Sequence, residues 1–227
     1  MRIDDTKERK ICYFSVTLVG IWWIGGNVKQ NILPMDYKEL TPFRNYLNTL
    51  AVLSEQEWQE LLQILQVKQY KKREQFQAAG KRCITAGFIL QGCFRSVKNV
   101  DGEERTFSFV IEQEFVTDYY SIITQKPSEV DIIAVEDSTV VCVEAAKFLA
   151  LFDSSFNWQK IGRQLAEYAA CYYSERLVSS FYETPRIRYD RFMASSPELF
   201  LRIPHHILAN YLGMTKETLS RLRNPVK

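Results

Sequence analysis

The sequence has little of what catalytic and metal sites are built from. Only two histidines occur in its 227 residues, His205 and His206, side by side near the C-terminus. A catalytic metal in a β-rich protein usually draws on histidines within the strands, and none is available there. The five cysteines, Cys12, Cys83, Cys93, Cys142 and Cys171, include no C-x-x-C pair and leave one over, so they form no regular disulfide framework. They also lack the close spacing of an iron–sulfur ligand set, and fit a reducing compartment with the thiols mostly buried. Nine glycines supply neither G-x-G-x-x-G nor G-x-S-x-G; Gly20 and Gly25 have phosphate-loop spacing, but Gly26 stands where lysine is needed. The expectation is a non-enzyme with no catalytic residues, no metal site and no assigned cofactor.

A long apolar run is also missing. The nearest approach is Ile11 to Ile24, which follows Lys7, Arg9 and Lys10 and imitates a signal peptide. It is short for a membrane span, and Gly25-Gly26-Asn27 is a poor small-x-small cleavage site.

What is present is concentrated at the C-terminus. In Ile203-Pro-His-His-Ile-Leu-Ala-Asn-Tyr-Leu-Gly-Met-Thr-Lys-Glu-Thr-Leu-Ser-Arg-Leu-Arg223, the residues Ile207, Leu208, Tyr211 and Leu212 recur at helical spacing. Gly213 breaks the pattern, and Leu219 and Leu222 resume it. This spacing predicts two short helices around a tight turn, a helix-turn-helix. Pro204 suits the first helical turn, Ala209 is small where the helices cross, and Thr215 can cap the second helix with Glu217 near its positive end. The N-terminal residues of such a second helix meet base edges in the major groove. An arginine can grip guanine O6 and N7, a glutamate can accept from the cytosine amino group, and Glu217 and Arg221 share one helix face. The bland alternative is a helical hairpin with an internal Glu–Arg pair. The candidate DNA-contacting set is Lys216, Glu217, Thr218, Ser220, Arg221 and Arg223.

Charge supports this. From Arg186 to Lys227 there are eight Lys or Arg and three acids, a surplus of five, so the rest of the +2 chain carries −3. A basic segment on a mildly acidic body is the electrostatic footprint of a nucleic-acid-binding module attached to something else.

Tyr211-Leu-Gly-Met-Thr-Lys-Glu-Thr-Leu-Ser-Arg-Leu-Arg223, preceded by Arg188-Tyr-Asp-Arg-Phe and Pro197-Glu-Leu, resembles the C-terminal winged helix-turn-helix of the cyclic-AMP receptor and fumarate-nitrate regulator (Crp/Fnr) family. The resemblance runs from about Met35 to the C-terminus and is sharpest after Arg186. It implies that Glu217, Ser220 and Arg221 read bases, as in the fumarate-nitrate branch, while Lys216 and Arg223 mainly hold phosphates. Met35-Asp-Tyr-Lys-Glu-Leu is similar to the way relatives open, so residues 1–34 are expected to be an apolar extension that is not native. A membrane-anchored regulator is the alternative.

Between these ends the pattern changes twice. Phe43 to Leu65 carries leucines and Trp58 at helical spacing, with Ser54 as a cap and the best helix from Glu55 to Leu65. Short β-rich runs follow at Cys83 to Gln91, Phe94 to Asn99, Thr106 to Ile111 and Thr139 to Val143, with Asp101-Gly102 marking a hairpin. Many short strands with such turns suggest an antiparallel sandwich or jelly roll. After Ala145 helical spacing returns, and Trp158, Ile161, Leu165, Tyr168 and Tyr172 make an apolar seam suited to a partner helix or to the β-domain itself. The resemblance implies the cyclic-nucleotide-binding roll for the strands and a dimer interface for the long helix. The expected class is α+β: a β-roll at 35–152, a dimerisation helix at 153–184 and the winged helix-turn-helix at 185–227.

Cyclic-AMP-binding relatives carry a Gly-Glu pair and then Arg-Ser/Thr-Ala. Here the comparable parts read Glu114-Phe115-Val116-Thr117-Asp118 and Lys126-Pro127-Ser128-Glu129-Val130, and no arginine lies between Arg105 and Arg163. Glu129 falls where a phosphate needs a counter-charge, although Lys126 could compensate. The reading is therefore a cytoplasmic, homodimeric transcription regulator that binds double-stranded DNA at an inverted repeat, with RNA polymerase as a further partner, the effector unknown and cyclic AMP not expected. The alternative is a cyclic-nucleotide or other small-molecule sensing module with weakened DNA binding.

Overall fold

The structure, a computed structural model, describes residues 37–223. The expectations for residues 1–34, the start at Met35 and Cys12 lie outside them. A 3-10 turn, Tyr37–Leu40, leads into α1 (Thr41–Leu50) and then α2 (Glu55–Leu62). The second helix ends three residues short of the expected Leu65, because Leu65 opens strand β1 (Leu65–Tyr70). There Leu65 and Val67 are buried and Gln66 is exposed, so the two-residue period of a strand prevails over the helical one.

Ser54 caps α2 reciprocally. Its hydroxyl accepts the Glu57 N–H at 3.2 Å and its own N–H donates to the Glu57 carboxylate at 2.8 Å. The same carboxylate accepts from the Ser155 hydroxyl and the Asn157 amide, which open the long helix α5 (Phe156–Tyr182). Burial raises the Glu57 pKa, but these hydrogen bonds outweigh it and hold the group at about 2 instead of 4.5. A carboxylate with a depressed folded pKa contributes stability that is full above its unfolded pKa and is lost as pH falls through the folded one. Stability should therefore fall between pH 4.5 and about 2, and less steeply in Glu57→Gln. Thermal melts followed across that window check this, and equal slopes for the two proteins would refute it.

The middle of the chain forms two four-stranded antiparallel sheets facing each other. The remaining strands are β2 (Gln75–Gln77), β3 (Thr85–Gln91), β4 (Phe94–Val100), β5 (Glu103–Val110), β6 (Phe115–Val116), β7 (Asp131–Ala134) and β8 (Ser138–Glu144). One sheet has the order β1-β8-β3-β6 and the other β2-β7-β4-β5. Their facing sides bury Ile89, Phe94, Val116, Ile132, Val140 and Cys142. β3, β4, β5 and β8 lie where the sequence places strands. Asp101 and Gly102, with φ of 54° and 84°, make the tight turn between β4 and β5. Two short helices complete the roll, α3 (Tyr119–Thr124) and α4 (Ala145–Leu151).

A second core joins the roll to α1, α2, α4 and α5 through Phe43, Trp58, Phe88, Phe148, Trp158 and Ile161. Of the expected apolar seam of α5, Trp158 and Ile161 are buried in the protein's own core and Leu165 packs against it, while Tyr168 is exposed. Gly162 allows the close approach, since a Cβ there would come within 2.6 Å of the Phe152 ring. In its last turns α5 also exposes Tyr173, Leu177, Val178, Phe181 and Tyr182. Cys83, Cys93 and Cys142 are buried free thiols and Cys171 an exposed one. Among the described residues, no helix is long and apolar enough to cross a membrane.

Candidate functional site

After α5 the chain forms α6 (Pro185–Ser195), α7 (Leu199–Arg202), α8 (His205–Leu212) and α9 (Lys216–Arg223). Gly213 ends α8 in the left-handed conformation at φ 71°, and the Met214 N–H returns to the Ala209 carbonyl at 2.9 Å. Thr215 then caps α9, its hydroxyl accepting the Thr218 N–H at 3.2 Å. Leu208, Ala209, Leu212 and Leu219 are buried between the two helices and α6–α7. With Leu219 turned inward, Lys216, Glu217, Thr218, Ser220 and Arg221 are all exposed. The Arg223 side chain lies outside the described residues. No strand occurs among described residues after 185, so the expected wing has no counterpart in them.

The expected Glu217–Arg221 pairing is not among the described ion pairs. Hydrogen bonds from its own backbone N–H and from the Thr215 hydroxyl lower the Glu217 pKa first, and the charges of Lys216 and Arg221 add to this. The carboxylate thus belongs to the helix N-terminus, while Arg221 forms no ion pair among the described residues.

The structure also shows that the basic surplus read from the sequence overcounts the charge available to a partner. Arg186 pairs with Asp190 at 2.8 Å, and Arg191 pairs with Glu183. Arg188 donates to the Leu212 carbonyl at 3.0 Å and the Glu183 carbonyl at 2.7 Å, tying the end of α8 to the junction of α5 and α6. Arg202 is held by Glu112 and Glu136 of the roll.

That last contact is part of a docking surface the sequence did not mark. Arg202 makes two parallel hydrogen bonds to Glu112, at 2.9 and 2.8 Å, and another to Glu136 at 3.1 Å. Burial raises the Glu112 pKa, but the Arg202 bonds and the Gly92 N–H more than reverse this, so it is lowered overall. Close by, burial pushes the Cys93 thiol up to about 12. Asn210 of α8 caps the edge of β5 like a strand residue, accepting the Thr106 N–H at 2.7 Å and donating to the Glu104 carbonyl at 2.9 Å. Arg176 of α5 lies 4.4 Å over the Tyr211 ring and donates to the Tyr211 hydroxyl at 2.7 Å and the Phe107 carbonyl at 2.8 Å. The only sequence signal for these was a polar residue, Asn210, within the otherwise apolar stretch 207–212.

In the roll, the segment expected to face a phosphate is arranged differently from what the sequence suggests. Glu129 pairs with Lys98 at 2.5 Å, and Lys126 is exposed. Arg82, from far earlier in the chain, donates to Gln125 and bridges Pro127 through the backbone, so the fold brings an arginine to a stretch that has none of its own. Between the roll and α5 lies a cavity of about 260 Å³ into which neither Arg82 nor Lys126 contributes.

Residues 67–155 match the cyclic nucleotide-binding domain family. No curated protein matches the chain by sequence. Among solved structures, FixK2 from Bradyrhizobium japonicum is similar at a TM-score of 0.62 and 17% identity, over 71% of this chain and 84% of that one. A chain from Eubacterium rectale described as of the crp/fnr family of transcriptional regulators gives 0.60 and 18%, over 78% and 85%. The catabolite activator protein of Thermus thermophilus gives 0.50 and 20%, over 79% and 85%. At such identities the likeness is one of fold.

Proposed function

We propose that this chain, of the Crp/Fnr type in its cyclic nucleotide-binding domain and its fold, is a cytoplasmic, homodimeric, sequence-specific DNA-binding transcription regulator rather than an enzyme. In this reading residues 35–152 sense, 153–184 dimerise and 185–227 bind DNA. The observation that carries it is α9: its apolar side, through Leu219, is locked into the core, while Lys216, Glu217, Thr218, Ser220 and Arg221 all stand in solvent on a rigid, capped helix. Glu217, Ser220 and Arg221 set base preference, and Lys216 and Arg223 hold phosphates. The exposed apolar side of α5 supplies the dimer surface, with Leu177 and Phe181 58% and 74% exposed in the single chain. Two copies of α9 then meet an inverted repeat whose half-sites lie about 34 Å apart. RNA polymerase is the further partner of a regulator bound there.

The regulator acts without cyclic AMP. Support comes from the cavity, which holds no cationic side chain among its described lining, and from Glu129 and Lys98 neutralising each other. The cavity also favours the second reading, a small-molecule sensing module with weakened DNA binding. Selection of bound sequences from random duplexes, with and without cyclic AMP, tests both. The expected outcome is one inverted repeat recovered in either condition, with affinity falling steeply as salt rises. Arg221→Ala should lose about 1–3 kcal/mol at that repeat and relax one base pair per half-site. Equal losses on the repeat and on random DNA would remove Arg221 from base recognition.

A further inference from the structure

The cavity between the roll and α5 has a lining with one character. Tyr46 from α1, Phe115 from β6, Phe148 from α4 and Phe152 just after it form its aromatic inner side, and Tyr168, Tyr172 and Tyr173 of α5 close the other. The rings are in mutual contact: Tyr46 to Phe115 at 5.9 Å, Phe148 to Phe152 at 5.1 Å, Tyr172 to Tyr173 at 5.5 Å between centroids. The charged side chain in the lining is an acid, Glu114, and no lysine, arginine or histidine is among the described residues that face the space. One Glu114 oxygen accepts the Ile111 N–H at 3.0 Å. Its other oxygen has no hydrogen-bond partner among the described residues. The remaining polar side chains are the neutral amide of Gln113 and hydroxyls, of which Ser108 and Tyr172 bond each other at 2.7 Å.

This lining is wrong for an anion and right for a cation. A phosphate would find a carboxylate and the negative faces of aromatic rings, with no counter-charge. An alkylated ammonium finds the opposite: each ring face within about 6 Å attracts it, by about 0.5–2 kcal/mol, and the carboxylate neutralises it. The volume suits a compact molecule. We infer that this cavity binds a small organic cation, an amine or quaternary ammonium compound whose charge lies against the tyrosine faces and Glu114. Exposed Tyr168 marks the way in, being 58% exposed while also lining the space. The inference rests on the cavity and stands whether or not α9 binds DNA.

The test uses the full chain and calorimetric titration with a matched pair of probes, choline and 3,3-dimethyl-1-butanol, which have the same branched shape with and without the charge. Choline should bind at least about tenfold more tightly than the neutral compound, and cyclic AMP should neither bind nor displace it. Glu114→Gln keeps an acceptor for the Ile111 N–H, so the turn is retained; it should weaken choline about tenfold and leave the neutral compound unchanged. Tyr168→Leu alters an exposed position with little bearing on folding, and should weaken choline several-fold with the melting temperature unmoved. The inference is overturned by equal binding of the two probes, by choline binding that neither substitution changes, by displacement with cyclic AMP, or by no choline binding at millimolar concentration.

Discussion

Replacing Trp158 by alanine is expected to cost about 3–5 kcal/mol of folding free energy, the loss that follows when a fully buried large aromatic is cut back to a methyl group. The indole is 0% exposed, and its ring meets Phe148 at 6.0 Å edge-on within the core that also holds Phe43, Trp58 and Phe88. It is the first anchor of α5 on the roll, placed directly after the Ser155 cap that Glu57 also grips. Removing it leaves a void that α5 can fill only by shifting, and that shift would pull Gly162 away from Phe152. The indole N–H is buried with no hydrogen-bond partner among the described residues. An unpaired buried donor carries a penalty of about 1–3 kcal/mol, so Trp158→Phe, which removes the donor and keeps an aromatic ring, should lose much less than Trp158→Ala. Urea unfolding of the three proteins measures both differences. Since whole-domain stability is about 5–15 kcal/mol, the alanine variant should be close to unfolding at moderate urea. A loss under about 1 kcal/mol for alanine would show that α5 is held elsewhere.

Local chemistry was legible in the sequence, and long-range pairing was not. Ser54, Asp101-Gly102, and Gly213 followed by Thr215 each mark a turn or cap through residues within a few positions, and each behaves in the structure as its chemistry dictates. Leu219 and Leu222 against Glu217, Ser220 and Arg221 separate an inner from an outer face by helical period alone. The failures have a common cause. The seam of α5 could face a partner or its own roll with the same periodicity, and only the packed core shows that Trp158 and Ile161 turn inward. The extra turn expected for α2 fails because Leu65 finds Val143 across the sheet, a partner far along the chain. Short strands such as β6, with two residues, have no pattern to read. The arginines were counted as one basic surface, yet Arg188 and Arg202 are structural, and Arg82 reaches Gln125 through a fold no spacing rule anticipates. The cavity is the extreme case, because its lining comes from α1, the roll, α3, α4 and α5 together.

Arg202→Ala is expected to release α7 and α8 from the roll at a cost of about 2–3 kcal/mol, somewhat below the loss for breaking a fully buried ion pair because the three side chains keep some water contact. The guanidinium, 25% exposed, bridges Glu112 and Glu136, which are 31% and 32% exposed; without it two carboxylates face each other with no cation between them. The loss should appear first in amide exchange of α7 and α8, faster than in wild type, while the sheet β1-β8-β3-β6 exchanges as before. For a chain of this size the melting temperature should fall by several degrees. A cycle of Arg202→Ala with Glu136→Gln should give a coupling energy above about 1 kcal/mol, since the two groups are in direct contact. The acid dependence has a definite sign. The Glu112 pKa is lowered in the fold, so the clasp contributes fully above its unfolded value and is lost as pH falls through the folded one. Wild type and Arg202→Ala should therefore converge in stability as the solution is acidified. The position of Glu112 gives this clasp a functional meaning. It lies in the Ile111–Glu114 turn, whose Glu114 lines the cavity while Glu112 holds Arg202, so one short turn borders both the cavity and the helix pair. If Arg202→Ala leaves both the melting temperature and the exchange of α8 unchanged, the helix pair is held by Asn210, Tyr211, Arg188 and the apolar core around Leu208 and Leu212 without the clasp.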